Sequence, residues 1–174
     1  MKRVAVLLAL AGFAVTAFGH EPPSVTTIIL VRHAEKNPDP ALKDPELTAD
    51  GIARALELVR VLGTTPVDAV FTTPYQRTRG TAKPFAESRK LTPVEIPGAA
   101  TYAADVVAWI RREHSGGTVL VVGHSNTTQH VIRELGVADA PKIEESTYDN
   151  LFIVTLVPGA EPRLISLRYG KEVR

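Results

Sequence analysis

VTTIILVRH, residues 25–33, is the most informative stretch of this sequence. Its first seven residues, 25–31, are mostly β-branched and apolar, which predicts a strand buried in a parallel sheet. A second run of this kind, residues 118–122, leads into His124. Because the carboxyl ends of parallel strands share one edge of a sheet, we expect His33 and His124 to lie at the same edge.

Helices and strands alternate along the rest of the chain. A helix is predicted from Thr48, its N-cap, to Gly63, because Ile52, Ala55, Leu56 and Val59 follow helical spacing. The other predicted helices run from a Thr73-Pro74 start to 88, from 102 to 114 and from 126 to 135; the other predicted strands are 69–72, 93–96, 151–157 and 164–169. This alternation predicts an α/β fold, a single-domain three-layer α/β/α sandwich with a mostly parallel central sheet.

The composition is that of one globular domain. The chain has 174 residues and 44% hydrophobic content, enough for a core. It contains no cysteine, which excludes disulfides, thiol catalysis, thiolate metal sites and a lipid anchor on cysteine.

The N-terminus has the layout of a secretory signal peptide. Lys2 and Arg3 precede an apolar run, residues 4–17, and small residues follow around Ala17 and Gly19. An uncleaved anchor is the alternative, but a spanning helix needs about 20 apolar residues. We therefore predict a signal peptide over residues 1–19, cleaved after Ala17 or Gly19, and a domain over 20–174 that is periplasmic or secreted.

Cleavage changes the charge balance. Without Lys2 and Arg3, 18 of the 20 basic residues remain against 19 acidic ones, a formal charge of −1. No basic tract is left to indicate nucleic-acid binding, and membrane binding after cleavage has no support.

Four residues are predicted to meet at the edge where the strands end. Arg32 precedes His33, Arg77 falls in the first turn of the second helix, and His124 follows the second apolar run. Guanidinium groups bind two oxygens at once, and helix N-termini favour anions, so the group is suited to a tetrahedral dianion such as phosphate. Taken singly, each histidine is more often structural and each arginine more often an ion-pair or surface residue.

Four motifs in sequence resemble those of the histidine phosphatase superfamily, in its phosphoglycerate-mutase-like branch. They are LVRHAEK at 30–36, LTADG at 47–51 with Arg54-Ala55, TPYQRT at 73–78 with Thr81-Ala82, and VVGHSNT at 121–127. The resemblance implies that His33 is the phosphoryl-accepting nucleophile and that Arg32, Arg77 and His124 hold the phosphoryl oxygens. It implies a small phosphorylated substrate or a phosphoprotein, with no cofactor and no metal; the sequence has no HExxH or similar ligand motif.

Other polar residues have two interpretations. Thr73 and Ser125 are candidate substrate-binding residues, although helix capping explains them equally well, and Asn126 is a second candidate cap of that helix. Glu35 is expected to orient nearby basic groups. The remaining assignments are a surface or packing role for His20, His114 and His130, and a solvated patch for Glu144 and Glu145.

The usual proton donor of this branch has no clear counterpart. Relatives acting on alkyl phosphates usually place a carboxylate beyond the third strand, but residues 96–102 contain none; Glu95 and Asp105 flank this region and are the candidate general acids. The region is also short, which favours an open site and a compact member resembling the phosphohistidine phosphatases. The sequence thus favours a phosphatase working through a phosphohistidine on His33. A phosphoglycerate-mutase-like transferase and a non-catalytic phosphate-binding or partner-binding module are the alternatives.

Overall fold

The computed structural model describes residues 24–98 and 100–172. Its strands are β1 (Thr26–Arg32), β2 (Ala69–Thr72), β3 (Val94–Glu95), β4 (Thr118–Gly123), β5 (Asn150–Leu156) and β6 (Arg163–Arg168), and its helices are α1 (Ala49–Leu62), α2 (Gln76–Arg89), α3 (Tyr102–Glu113) and α4 (Ser125–Glu134). The predicted signal peptide and His20 lie outside the described residues. Among the helices described, none is long and apolar enough to cross a bilayer.

The strands form one sheet in the order β3-β2-β4-β1-β5-β6. Pairing is parallel between β1 and β4, β2 and β4, and β2 and β3, whereas β5 runs antiparallel to both β1 and β6. The turn between β5 and β6 is short, and a short connection can join only antiparallel neighbours. The predicted α/β fold with a mostly parallel sheet is confirmed, and the reversal of β5 is the feature that the sequence pattern did not indicate.

Helices cover both faces of the sheet, because successive side chains of a strand point to opposite sides. Ile28 and Leu30 of β1 pack into a core closed by α3 and α4, whereas Ile29 and Val31 pack into a core closed by α1 and α2. The three-layer arrangement follows directly from this alternation.

The start of α1 is as predicted, but the start of α2 is not. Gly51 N–H donates to the Thr48 hydroxyl at 3.1 Å, so Thr48 is the N-cap of α1. Helix α2 begins after Tyr75 instead of Thr73, and its first N–H, on Gln76, donates to the Asp44 carboxylate at 3.0 Å. A carboxylate from another segment thus caps α2, and the Thr73 side chain is free for other contacts.

The start of α4 also differs from the prediction. Its N-cap is His124, and Asn126 is already in the first turn and exposed. The backbone N–H of His124 donates to the Thr127 hydroxyl at 2.8 Å. The helix therefore starts directly at the end of β4, which fixes the position of the His124 ring.

Helix α1 packs on the segment that follows β1 through a glycine. A Cβ atom added at Gly51 would lie 2.1 Å from the backbone oxygen of Glu35, which accepts a hydrogen bond from Thr48 N–H at 2.9 Å. Only a residue without a side chain allows the helix to approach this closely.

We expect Gly51→Ala to destabilise the protein, although alanine is favoured over glycine inside a helix by about 1 kcal/mol. Overpacking against backbone costs about 1–3 kcal/mol or more, so the clash outweighs the propensity. Urea unfolding would measure the change. Gly80→Ala in α2 is the control, because its Cβ would meet only the Leu47 side chain, at 3.2 Å. Equal stability of the two variants would contradict the interpretation.

Candidate active site

The pairing of β1 with β4 brings the two predicted histidines together. Arg32 lies opposite Gly123, and His33 N–H donates to the Gly123 carbonyl at 2.8 Å. The rings of His33 and His124 meet edge to face, with centroids 5.3 Å apart.

The His33 ring is buried and neutral. It is 3% exposed, and burial lowers its pKa to about 3, with the charge of Arg32 acting in the same direction. Nδ1 lies 2.8 Å from the Ala34 carbonyl, which can only accept, so Nδ1 carries the proton. The lone pair is therefore on Nε2, the nitrogen that a nucleophilic role requires.

Arg32 is held by the segment before β5, residues 144–148, which we call the 144–148 loop. Its Nη1 donates to the carbonyls of Glu144, Glu145 and Thr147 at 3.0, 2.5 and 3.2 Å. Its guanidinium carbon lies 4.3 Å from the centroid of the Tyr148 ring. The side chain is 1% exposed, so carbonyl dipoles replace water around most of this cation.

Glu145 is exposed, as predicted for a solvated patch, but it also contacts this site, which the sequence did not indicate. One oxygen of its carboxylate accepts from Arg32 Nη2 at 2.9 Å, and the other accepts from the Ser125 hydroxyl. Glu144 does extend into solvent, where it pairs with Lys142 at 2.8 Å. The direction of β5 would have revealed the contact, because an antiparallel β5 begins at the edge where β1 ends.

A chain of hydroxyl groups orients His124. The Thr78 hydroxyl donates its proton to backbone carbonyls at 2.9 Å. Its oxygen therefore accepts a hydrogen bond from the Thr73 hydroxyl. Because the Thr73 proton is used in this way, the Thr73 oxygen accepts from His124 Nε2, at 3.0 Å. The neutral ring thus carries its proton on Nε2. Burial lowers the pKa of His124 to about 4, the charges of Arg77 and Arg32 add to the shift, and Glu145 and Asp44 oppose it.

Arg77 lies on the other side of the histidine pair. Its guanidinium carbon is 4.4 Å from the centroid of the Tyr75 ring, and that ring contacts His124 with centroids 5.4 Å apart. Asp44, which caps α2, lies 3.5 Å from Arg77 Nη1. One carboxylate therefore positions both the helix and its arginine.

Neither candidate general acid hydrogen-bonds or pairs with the histidines or arginines of this group. Glu95 pairs with Arg79 of α2 at 3.7 Å, and Asp105 is exposed in the first turn of α3. The carboxylates whose charges reach His124 are instead Glu145 and Asp44.

Glu35 orients a basic group, Arg54 of α1, which is almost fully buried. Arg54 donates to both Glu35 oxygens at 2.7–3.1 Å, and to the carbonyls of Tyr169 and Lys171 at 2.7 and 2.8 Å. Burial alone would raise the pKa of Glu35, but the hydrogen bonds from Arg54 outweigh it and lower that pKa. This clamp ties the segment after His33 to the segment after β6.

The other histidines of the described segments lie outside the group. His114 packs against Phe71 with ring centroids 5.8 Å apart, and His130 is exposed on α4. The side chains described include no cluster of three His, Asp or Glu residues placed to bind a metal ion.

Comparison with known proteins agrees with this arrangement. The model of the histidine phosphatase superfamily, branch 1, matches residues 28–100, which include Arg32, His33 and Arg77. Over these 73 of the 174 residues the chain is similar to the histidine phosphatase superfamily. No curated protein sequence matches it.

Solved structures of two phosphatases and a phosphoglycerate mutase share the fold. The protein histidine phosphatase SixA, in complex with tungstate, superposes with a TM-score of 0.65 at 18% identity, over 82% of this chain and 96% of its own. Phosphoglycerate mutase from Bacillus anthracis str. Sterne gives a TM-score of 0.65 at 14% identity, over 83% and 93%. A mycobacterial glucosyl-3-phosphoglycerate phosphatase gives 0.63 at 16%, over 80% and 97%. At these identities the likeness shows the fold.

The buried His33 should make the stability of the protein depend on pH. Between pH 6.5 and about 3 the unfolded chain binds a proton at His33 and the folded chain does not, so stability falls as pH falls through this window. From pH 7.5 to pH 5 the free energy of unfolding should fall less in His33→Gln than in the wild type, by about 2 kcal/mol. Urea unfolding at both pH values would measure it. His130→Gln, at an exposed site, is the control; equal pH dependence of wild type and His33→Gln would contradict the assignment.

Proposed function

We propose that the protein is an exported, metal-independent phosphatase that acts through a phosphohistidine on His33. The observation that carries the proposal is the unprotonated Nε2 of a neutral, buried His33 beside Arg32, Arg77 and His124. The similarity to the histidine phosphatase superfamily supports phosphoryl chemistry, and the two arginines supply the positive charge that phosphoryl transfer requires.

The reaction takes place in two steps. His33 Nε2 attacks phosphorus, and a nitrogen–phosphorus bond forms as the bond to the leaving oxygen breaks, with the leaving group keeping the electron pair. Water then attacks the phosphohistidine, which restores His33 and releases inorganic phosphate. Arg32 and Arg77 stabilise charge on the phosphoryl oxygens throughout, and His124 does so by exchanging its hydrogen bond to Thr73 for one to the substrate.

The substrate is a phosphoprotein or a small phosphorylated compound with a good leaving group. The fold shared with SixA, named as a protein histidine phosphatase, supports the first class. Neither Glu95 nor Asp105 hydrogen-bonds or pairs with the histidines or arginines of the site, which supports the requirement for a good leaving group.

The nucleophile assignment predicts that His33→Ala lowers kcat for p-nitrophenyl phosphate by about 10³-fold or more. A chelator should leave wild-type activity unchanged, and brief incubation with ³²P-labelled substrate should trap an acid-labile phosphoenzyme in the wild type only. His130→Ala is the matched control. Activity that persists in His33→Ala would refute this assignment, and transfer of the trapped label to glycerate instead of water would favour a mutase.

A leaving-group series tests the role of the acid. We expect kcat/KM for p-nitrophenyl phosphate or a phosphohistidine peptide to exceed that for glycerol phosphate by about 10²-fold or more, because acid assistance is typically worth ~10²- to 10⁴-fold. Glu95→Gln and Asp105→Asn should retain activity. Equal rates across the series, or a large loss in either variant, would contradict this proposal.

Export predicts a shortened chain outside the cytoplasm. Mass spectrometry of the protein from the periplasm or medium should find an N-terminus after Ala17 or Gly19, with a formal charge near −1. Leu8→Arg, which interrupts the apolar run, should retain the full-length chain inside the cell. A full-length wild-type chain in the membrane fraction would support the anchor instead.

A further inference from the structure

A carboxylate of the chain itself binds two of the residues assigned to phosphoryl oxygens. Glu145 places one oxygen 2.9 Å from Arg32 Nη2 and the other on the Ser125 hydroxyl. A carboxylate resembles one edge of a phosphoryl group, since both present two oxygens that share negative charge, and guanidinium binds either one. Glu145 therefore takes the position that two phosphoryl oxygens would occupy.

We propose that Glu145 is a built-in competitor of the substrate and determines specificity at this site. The proposal rests on the function proposed above, because it requires Arg32 and Ser125 to bind a phosphoryl group. Substrate enters by displacing the carboxylate, which then lies beside the bound phosphoryl group.

The backbone and the side chain of Glu145 have separate roles. Its carbonyl oxygen accepts from Arg32 Nη1 at 2.5 Å, together with the carbonyls of Glu144 and Thr147. Its side chain is 81% exposed, in contrast to Arg32 at 1%. The carboxylate can therefore rotate into solvent about its own side-chain bonds while the 144–148 loop keeps its hold on Arg32.

The groups around His33 leave little of the residue exposed. His33 is 3% exposed, and a reacting atom has to come within about 3–3.5 Å of Nε2. Tyr148 and His124 flank the ring with centroids 6.0 and 5.3 Å away, and each has a second contact within the site, to Arg32 and Thr73 respectively. Glu145 is the most exposed of the groups at the site, so its displacement from Arg32 would disturb the fewest contacts.

The same charge selects among substrates. The site holds two cations, Arg32 and Arg77, and two carboxylates, Glu145 and Asp44, so its formal charges sum to zero. A displaced Glu145 repels a leaving group that carries its own negative charge and tolerates one that is neutral or cationic, such as an imidazole. The structure thus favours phosphohistidine and neutral aryl phosphates over carboxylate-bearing phosphate esters.

Glu145→Gln tests the proposal, because it keeps the shape of the side chain and removes the charge. Isothermal titration of the purified protein with inorganic phosphate, and with tungstate, would measure affinity without turnover. If the carboxylate is bound about nine-tenths of the time, its loss should tighten phosphate binding about tenfold, and KM for p-nitrophenyl phosphate should fall in parallel. The change in kcat should be smaller than the change in KM.

Glu113→Gln is the matched control. Glu113 also pairs with an arginine, Arg112 at 2.7 Å, but it ends α3 at the opposite edge of the sheet. Glu113→Gln removes the same charge from the protein but far from the site. It should therefore leave phosphate affinity within twofold of the wild type, a change in binding free energy under about 0.4 kcal/mol.

Three results would overturn the proposal. If Glu145→Gln leaves the phosphate affinity unchanged, the carboxylate does not compete with phosphate. If the substitution weakens the affinity, the carboxylate positions Arg32 for the substrate. A loss of kcat confined to poor leaving groups would make Glu145 a proton donor instead. In each case the wild type still binds phosphate and hydrolyses the ester, so the proposed function stands; a wild type that binds no phosphate removes both.

Discussion

The site depends on the register between β1 and β4. Parallel pairing of Arg32 with Gly123 makes the two strands end at the same edge of the sheet. The residue that follows each strand is a histidine, so the two histidines lie side by side. A shift of one residue would turn each side chain to the opposite face of the sheet. Gly123 contributes to this register, because a Cβ there would lie 2.8 Å from the Thr127 hydroxyl.

The electrostatic design combines a buried cation with neutral imidazoles. Burial lowers the pKa of Arg32, yet three backbone carbonyls surround it, and their partial charges stabilise the guanidinium without neutralising it. Burial, helped by the positive potential that remains, keeps His33 and His124 unprotonated. The same potential attracts an anion, which is why a carboxylate from the 144–148 loop is found there.

Local sequence signals were sufficient for most of the fold and for the grouping of the four main site residues. The β-branched runs ending at His33 and His124 predict buried parallel strands, and the ends of such strands meet at one edge. Local rules failed where a partner came from a distant part of the chain. Asp44 caps α2 across 32 residues of sequence, which displaces the cap expected at Thr73.

Contacts of this kind depend on tertiary packing, which periodicity does not encode. Arg32 and Glu145 are separated by 113 residues, and only the antiparallel course of β5 brings them together. The sequence showed two adjacent glutamates between a helix and a strand, a pattern typical of an exposed loop. The sequence thus predicted the exposure of these glutamates, but only the direction of β5 accounts for the contact of Glu145 with Arg32.

The Arg54 clamp joins both ends of the domain into one cooperative unit. Glu35 lies two residues after His33, and the carbonyls of Tyr169 and Lys171 lie just beyond β6, yet all are bound by one buried guanidinium. Fraying of the residues after β6 would remove two carbonyl acceptors from that buried charge, which costs more than the loss of an ordinary terminal contact. We therefore expect amide hydrogen exchange in the two segments to be coupled, with the segment after β6 opening together with the loop that carries the nucleophile.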